Sequence, residues 1–512
     1  MRITLRPLAS LSLLVVPVML ACRPAPMQPM AQPEPVIVEP APAPAPAPAL
    51  PETWVGTIEL LGASLDVIAR LEPDPDKPGT WRGRLDIPMQ GLKDFPLQDV
   101  DLDADGLEFT LAPPGGSEAQ RAVFVASREP GAATAQGELS QNGQNFPLKL
   151  RRLAPGETPD VGPKRPQEPK PPFPYAVREV SFTSEVDGVP LAGTLTAPAD
   201  GTSKRHPAVV LLTGSGAQDR DESIMGHKPF LVLADHLTRN GIVVLRYDDR
   251  GVGGSGGDSS KTSHTTQQRD ASAALTWLQS QPEVDPTRIG LIGHSEGANI
   301  GILTAAADKR VAFLVLLAGM GVSGKQIFPM QMAALLRAAG AAEDALPGLV
   351  KLQNKLIAAL MKQAPRAQLE DLARELARGQ LAQSKPPTPV TPEQLEALVK
   401  ASLAAFETES LRSLLRHDPR PALRKLKTTP VLALNGSLDL QVPAAENLGE
   451  IEKALRAAKN KDVTIKQLPG LNHLFQHAKT GQVEEYSKIE ETLAPELLNE
   501  VSSWIAAHTV AK

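Results

Sequence analysis

Between residues 52 and 152 the chain alternates apolar and polar positions in short runs, at 54–60, 65–71, 80–87, 107–111, 121–125 and 146–150. A period of two puts successive side chains on opposite faces of a strand. Asp105-Gly106 and Asn142-Gly143 offer tight-turn chemistry between runs. The pattern predicts a small antiparallel barrel or sandwich over 52–152. No polar constellation stands out within it, so it reads as a structural or docking module.

From Tyr175 onward the pattern changes. Two strand-like stretches, 177–184 and 191–197, come first. Continuous apolar runs then alternate with helical segments, at 208–212, 242–247, 288–292, 311–317, 431–434 and 463–468. A strand covered on both faces loses its alternation, so runs of this kind suit a mostly parallel sheet with helices on both sides. The expected fold class over 175–512 is therefore α/β. The strand rhythm stops between Met320 and about Asp418, between the sixth and seventh sheet strands. There Leu349, Leu352, Leu356, Ile357 and Leu360 recur at helical spacing. Residues 320–418 are predicted to form a helical cap inserted over one end of the sheet.

Composition adds the segments outside these bodies. Residues 23–51 carry the alternating run Ala41-Pro42 to Ala47-Pro48 and read as a polyproline II tether. Residues 153–174 are rich in proline and charge, with Pro166, Glu168, Pro169 and Pro171-Pro172, and read as a second linker. At the start, Arg2 and Arg6 precede an apolar run at 8–20, followed by Ala21-Cys22. Residues 1–22 resemble a bacterial lipoprotein signal in which Cys22 becomes the lipidated first residue of the mature chain. The alternative is an ordinary cleaved signal with a coincidental cysteine. The apolar run is too short to span a bilayer. The expectation is export to the bacterial cell envelope, with a lipid anchor at Cys22 and a periplasmic or outer-membrane location. A lone cysteine excludes an intrachain disulfide. The 53 basic and 58 acidic residues, a net charge of −5, argue against a nucleic-acid partner. Oligomeric state is not legible.

The chemistry concentrates in Gly293-His294-Ser295-Glu296-Gly297. This G-x-S-x-G follows the apolar run 289–292 and precedes a helical segment at 298–307. A sharp strand-to-helix turn of this kind lifts a serine oxygen above the sheet. Ser295 is the candidate nucleophile, and a serine hydroxyl needs an adjacent base. Asp439 follows the run 431–434, and His473 follows the run 463–468, in the order nucleophile, acid, histidine. All three fall at C-terminal strand ends, where open α/β sheets bind ligands. His477 is a rival base and Asp462 a rival acid. His294 is a neighbour on the turn and points away from its own serine. His206, His227, His236 and His264 precede the nucleophile and read as structural. The oxyanion donors are expected from the backbone N–H of Glu296 and from Ser215 or Gly216 in Thr213-Gly214-Ser215-Gly216-Ala217. Gly251-Val252-Gly253-Gly254-Ser255-Gly256 matches G-x-G-x-x-G, but Asp248-Asp249-Arg250 precede it and a polar loop follows. It reads as a loop braced by Asp248 and Arg250, without a dinucleotide.

The stretches 212–222 and 246–251, the Gly293–Gly297 motif and Asn472-His473 together resemble bacterial α/β-hydrolase serine esterases related to the acyl-peptide-hydrolase and dienelactone-hydrolase groups. The resemblance covers about two thirds of the chain and leaves out 52–152. It implies an α/β-hydrolase fold and carboxylic-ester hydrolysis on a small-molecule ester, with neither metal nor organic cofactor. Ala298 stands where many relatives would have a further glycine. A serine peptidase of the prolyl-oligopeptidase type is the alternative enzyme, and an inactive surface-binding lipoprotein is the alternative of another class. A propeller needs at least four blades of about 40 residues, more than 52–152 can supply.

Overall fold

The computed structural model describes residues 50–60, 63–88, 92–112, 121–141, 144–159, 164–184, 187–199, 201, 204–384 and 390–510. The expected export signal with Cys22, the expected tether up to residue 49 and the Asn142-Gly143 pair lie outside the described residues. The chain divides into two compact units, one N-terminal and one holding most of the rest.

The N-terminal unit is one antiparallel sheet of nine strands: β1 Glu52–Leu60, β2 Ala63–Pro73, β3 Trp81–Ile87, β4 Leu92–Pro96, β5 Gln98–Leu102, β6 Gly106–Leu111, β7 Ala122–Ser127, β8 Thr134–Gln141 and β9 Gln144–Arg152. β1 pairs with β2 on one side and with β9 on the other, so the meander closes through its first and last strands. The two edges, β4 and β5, are consecutive in the chain across Leu97. The sheet therefore curls around one core, in which Trp54, Phe109 and Phe124 are fully buried and the two phenylalanine rings stack at 4.7 Å. β4, β5 and β8 went unmarked in the sequence. β8 shows why: only Ala135 and Leu139 point inward, and the rest of Thr-Ala-Gln-Gly-Glu-Leu-Ser-Gln is polar or glycine.

The C-terminal unit is an eight-stranded sheet in the order β10-β11-β13-β12-β14-β15-β16-β17. Its strands are β10 Tyr175–Thr183, β11 Pro190–Pro198, β12 His206–Leu212, β13 Val243–Tyr247, β14 Val284–His294, β15 Phe313–Leu317, β16 Val431–Gly436 and β17 Val463–Leu468. β10 and β11 run antiparallel, and β12 to β17 are mutually parallel. The helices are α1 Pro229–Arg239, α2 His264–Gln279, α3 Glu296–Ala307, α4 Gly324–Ala338, α5 Leu346–Met361, α6 Arg366–Ser384, α7 Pro392–Glu407, α8 Glu409–Arg416, α9 Arg420–Leu423, α10 Ala444–Ala457, α11 Val483–Tyr486 and α12 Pro495–His508.

Burial on both faces explains the continuous apolar runs. From β15, Leu314 and Leu316 join Leu275, Ile300 and Ile451 of α2, α3 and α10 in one core. Phe313, Val315 and Leu317 of the same strand join Phe230, Leu233 and Ile505 of α1 and α12 in the other. Each such fully buried side chain contributes about 1.5–3 kcal/mol relative to exposure.

The five helices α4 to α8 form the insertion between β15 and β16. A capping box, in which Ser323 and Gln326 satisfy each other's end of the helix, starts α4. The apolar side of the insertion, with Ile327, Phe328, Ile357, Phe406, Leu414 and Leu415, packs with Met320, Val322 and Val442. Val442 follows β16 by a few residues, so the insertion covers the loop carrying Asp439.

Candidate active site

β14 ends at His294 and α3 starts at Glu296, which leaves Ser295 alone to turn the chain. Its backbone sits at φ 53°, ψ −117°. That is a strained conformation for a residue with a Cβ, costing of order 1–3 kcal/mol. The surroundings enforce it. Ser295 N–H donates to Leu317 O at 2.8 Å. A Cβ on Gly293 would lie 2.2 Å from Gly297 O, and one on Gly297 would lie 2.1 Å from Leu212 O. The turn is thus pressed against the end of β12, and only glycine fits at either side of the serine.

Asp439 lies in the loop after β16. Its Oδ1 accepts the N–H groups of Gln441 at 2.9 Å and Val442 at 2.8 Å, and its Oδ2 accepts from His473 Nδ1 at 2.8 Å. Both side chains are buried. A hydrogen bond to an ionised carboxylate, removed from water, is of the strong kind. Engagement of Nδ1 leaves Nε2 as the nitrogen available to take a proton. Asn472 shapes the loop of the histidine by accepting the N–H groups of Leu474 and Gln476, both at 3.0 Å. Tyr486 lies behind the acid, and its hydroxyl accepts from Gln441 Nε2 at 3.2 Å. Burial first, and the nearby Asp439 charge second, raise its phenol well above the ordinary value.

The loop after β12 is held by carboxylates. Asp249 accepts the Thr213 hydroxyl on one oxygen and the Gln218 N–H on the other, both at 2.9 Å. Gln218 Nε2 reaches back to Ser215 O at 3.1 Å. Glu222 Oε1 accepts the Gly214 N–H at 2.6 Å. Gly214 lies against the candidate nucleophile, since a Cβ there would be 3.5 Å from Ser295 Cβ. Ser215 and Gly216, the expected oxyanion donors, lie between these anchors. Glu296 is the first residue of α3, so its N–H has no acceptor within the helix.

Other carboxylates and histidines crowd beneath the turn. The Glu296 carboxylate is buried and accepts from His264 Nε2 at 2.5 Å. The His264 ring packs edge-on against His417 at 4.8 Å, and His417 Nε2 meets Asn299 Nδ2 at 3.2 Å. Burial, then the neighbouring His264, pushes the His417 imidazolium down to about 4. Enclosure pushes the Asp249 carboxyl up to about 7 despite its two donors, with Glu296 and Glu222 adding to the rise.

The rivals lie elsewhere. His477 is exposed and pairs with Glu491 and Glu496. Asp462 pairs with His508. His227 is buried between Thr492 Oγ1 and Tyr486 O, and His236 meets Ser502. In the glycine-rich loop, Gly254 N–H donates to Asp248 Oδ2 at 2.9 Å and Gly251 N–H to Gly256 O at 2.8 Å. Arg250 leaves that loop to pair with Asp187 and Asp270. Among the described residues no group of three or more His, Cys, Asp or Glu side chains is arranged to hold a metal ion.

Sequence reasoning missed Glu222, Asp249 and the Glu296 side chain. Asp249 did carry a signal, a charge just after the apolar run of β13, whereas Glu222 lies ten residues past β12 and the Glu296 side chain pairs with His264, so neither had a local signal.

Strand order, with β12 and β13 transposed, and a serine alone on the turn between β14 and α3 define the α/β-hydrolase fold. Comparison with known proteins bears on the same region. A family model described as "Serine aminopeptidase, S33" matches residues 228–479. The chain is 33% identical over 141 residues to a polyketide transferase, GrgF, of Penicillium sp, covering 27% of this chain and 44% of the relative. It is 33% identical over 174 residues to the esterase EstD of Thermotoga maritima, covering 34% of this chain and 40% of the relative. The chain thus spans less than half the length of these curated relatives. Among solved structures, a Pyrococcus furiosus esterase aligns with a TM-score of 0.40 and 19% identity, covering 68% of this chain and 99% of that one.

Proposed function

We infer that this chain is a serine hydrolase cleaving small or short-chain carboxylic esters through an acyl-enzyme. The observation that carries the reading is the buried 2.8 Å bond between His473 Nδ1 and Asp439 Oδ2, on the same sheet end as the strained Ser295. In this mechanism Ser295 attacks the ester carbonyl while His473 Nε2 takes its proton. Asp439 holds the tautomer and stabilises the imidazolium. The N–H groups of Glu296 and of Ser215 or Gly216 take up the oxyanion charge. His473 returns the proton to the leaving alcohol, and water then releases the acid by the same route. The insertion supplies the acyl or alcohol pocket. It also carries a groove of about 520 Å³ lined by Leu360, Leu403, Phe406 and Leu415 among others, a lining that includes none of Ser295, Asp439 or His473, so the groove is not itself the proposed substrate pocket.

The test is turnover of purified protein on p-nitrophenyl esters of graded chain length, alongside aminoacyl and dipeptidyl p-nitroanilides. Ser295→Ala is expected to lower kcat by roughly 10⁴-fold or more while remaining folded. A folded Ser295→Ala protein with more than about a tenth of wild-type activity would remove the assignment.

The description of the matching family favours a second reading, a serine aminopeptidase. The N-terminal unit, whose described residues form one curled nine-stranded sheet, speaks against a propeller-gated peptidase of the prolyl-oligopeptidase type and leaves a peptidase without a propeller to the anilide panel. An anilide cleaved as fast as the esters would decide for the peptidase. The same reading includes export and anchoring to the envelope of a bacterial cell through lipidated Cys22.

A further inference from the structure

The inference rests on the hydrolase reading above and concerns two buried residues that its mechanism does not use. We propose that Glu222 and His294 form a positioning pair that ties the oxyanion loop, the nucleophile turn and the backbone of the base into one register.

The contacts join three separate parts of the site. A single oxygen, Glu222 Oε1, accepts the Gly214 N–H at 2.6 Å and His294 Nδ1 at 2.9 Å. On the far side of the ring, His294 Nε2 donates to the carbonyl of His473 at 3.0 Å. The two histidine rings lie 4.9 Å apart. Gly214 belongs to the loop after β12, His294 is the last residue of β14, and His473 sits in the loop after β17. One carboxylate and one imidazole thus bridge the oxyanion loop to the base, through the residue next to the nucleophile.

The hydrogen-bonding partners demand charge, not mere shape. A carboxylate and a carbonyl both accept only. With an ionised carboxylate at Glu222, both ring nitrogens of His294 carry protons, and the ring is a cation held against it. Burial by itself opposes that cation, but the Glu222 carboxylate and the His473 carbonyl outweigh it, so the proton is held more tightly than usual. Both side chains are below 10% exposed, so the pair is closed to water. Packing alone would be met more cheaply by two apolar side chains.

The backbone around Glu222 points the same way. Glu222 adopts φ 53°, a conformation that favours glycine. A turn built on Asp219 holds it there: Asp219 Oδ1 accepts the N–H groups of Asp221 at 3.1 Å and Ser223 at 2.9 Å, and Asp219 O accepts that of Glu222 at 2.9 Å. The turn directs the carboxylate at Gly214, one residue before the candidate donors. Oxyanion donors act only within a narrow distance, and an error of about 1 Å costs roughly 10²-fold in rate.

The experiment compares wild type, Glu222→Gln, His294→Gln and the double variant on p-nitrophenyl acetate. It adds the rate of inactivation by diethyl p-nitrophenyl phosphate, whose phosphoryl oxygen uses the same donors. Glu222→Gln preserves size but not charge. The expected result is a kcat lower by roughly 10²-fold with KM within about threefold, and a parallel fall in inactivation rate. The double variant should be no slower than the slower single variant, because the two residues act as a unit. Cooperative thermal unfolding checks the fold, and His294→Gln supplies the same readouts if Glu222→Gln fails to fold. Folded single variants with wild-type kcat would overturn the pairing, as would losses that multiply in the double variant. Wild-type protein without Ser295-dependent turnover would overturn the hydrolase reading itself, a result separable from both.

Discussion

Replacing Asp439 with asparagine separates the two tasks its carboxylate performs. Oδ1 accepts two backbone N–H groups, from Gln441 and Val442, while Oδ2 alone faces His473 Nδ1. Asparagine keeps an oxygen for the two backbone donors and presents an amide N–H to the histidine. The ring must then accept at Nδ1 and carry its proton on Nε2, the nitrogen that in the proposed mechanism receives the serine proton. The corresponding change in a serine-protease triad lowers kcat about 10⁴-fold. At 1.36 kcal/mol per decade that is about 5 kcal/mol of transition-state stabilisation. Asp439→Ala should lose activity to a similar degree and should also strip two buried N–H groups of their acceptor. At about 1–3 kcal/mol for each unsatisfied group, the alanine variant should be destabilised by roughly 2–6 kcal/mol. The asparagine variant should stay near wild type. The assay is kcat on p-nitrophenyl acetate together with the urea midpoint of each variant. The reasoning fails if Asp439→Asn keeps kcat within about tenfold of wild type. It fails equally if alanine and asparagine give the same midpoint.

Three further outcomes follow from the geometry and from the proposed anchor. Gly297→Ala brings a Cβ to 2.1 Å from Leu212 O, so it should cost roughly 3 kcal/mol or more, read as a lowered unfolding midpoint; an unchanged midpoint would show that the β12 end yields freely. Burial depresses His227 and His417 to about 4 in the folded state, below the ordinary 6.5. The unfolded chain therefore binds more protons below pH 6.5, and stability should fall from pH 6.5 down to about 4 by roughly 3 kcal/mol per histidine. His227→Gln should flatten that decline, and an equally steep decline in the variant would exclude His227 as a contributor. Cys22→Ala should move the exported protein from the membrane fraction to the soluble one, and an unchanged distribution would place the anchor elsewhere.

Legibility of the site followed from locality. The Gly293–Gly297 turn could be read because its motif is contiguous and part of its constraint is local: a Cβ on Gly293 would meet the carbonyl of Gly297, four residues on, whereas the crowding at Gly297 comes from Leu212 at the end of β12. Asp439 and His473 could be nominated because each directly follows an apolar strand run. Choosing them over Asp462 and His477 by contact needed the fold, since all four are loop or loop-edge residues in the sequence. Glu222 looked like part of a charged loop. Its partners, Gly214, His294 and the loop of His473, come from three strand ends separated by as many as 259 residues in the chain. The unmarked strand β8 was hidden for another reason: two inward residues are too few to establish a period of two.

The sequence by itself determined the class of each half. Period-two alternation over 52–152 and unbroken apolar runs after 175 record how many faces of a strand are to be covered, and that record lies in the strand's own residues. It likewise marked the turn at Ser295, through a contiguous motif, although the contacts that press on Gly297 and hold Ser295 come from Leu212 and Leu317 on neighbouring strands. Only the tertiary structure decided which way the N-terminal sheet closes, because strand pairing of β1 with β9 is a contact between ends that no local pattern encodes. Only the tertiary structure decided the environment of the charged residues. A carboxylate on a loop and a carboxylate enclosed at a sheet end are the same letter. What separates Asp439, Asp249 and Glu222 from the solvated acids is the water excluded by elements that lie far off in the chain and adjacent in the fold.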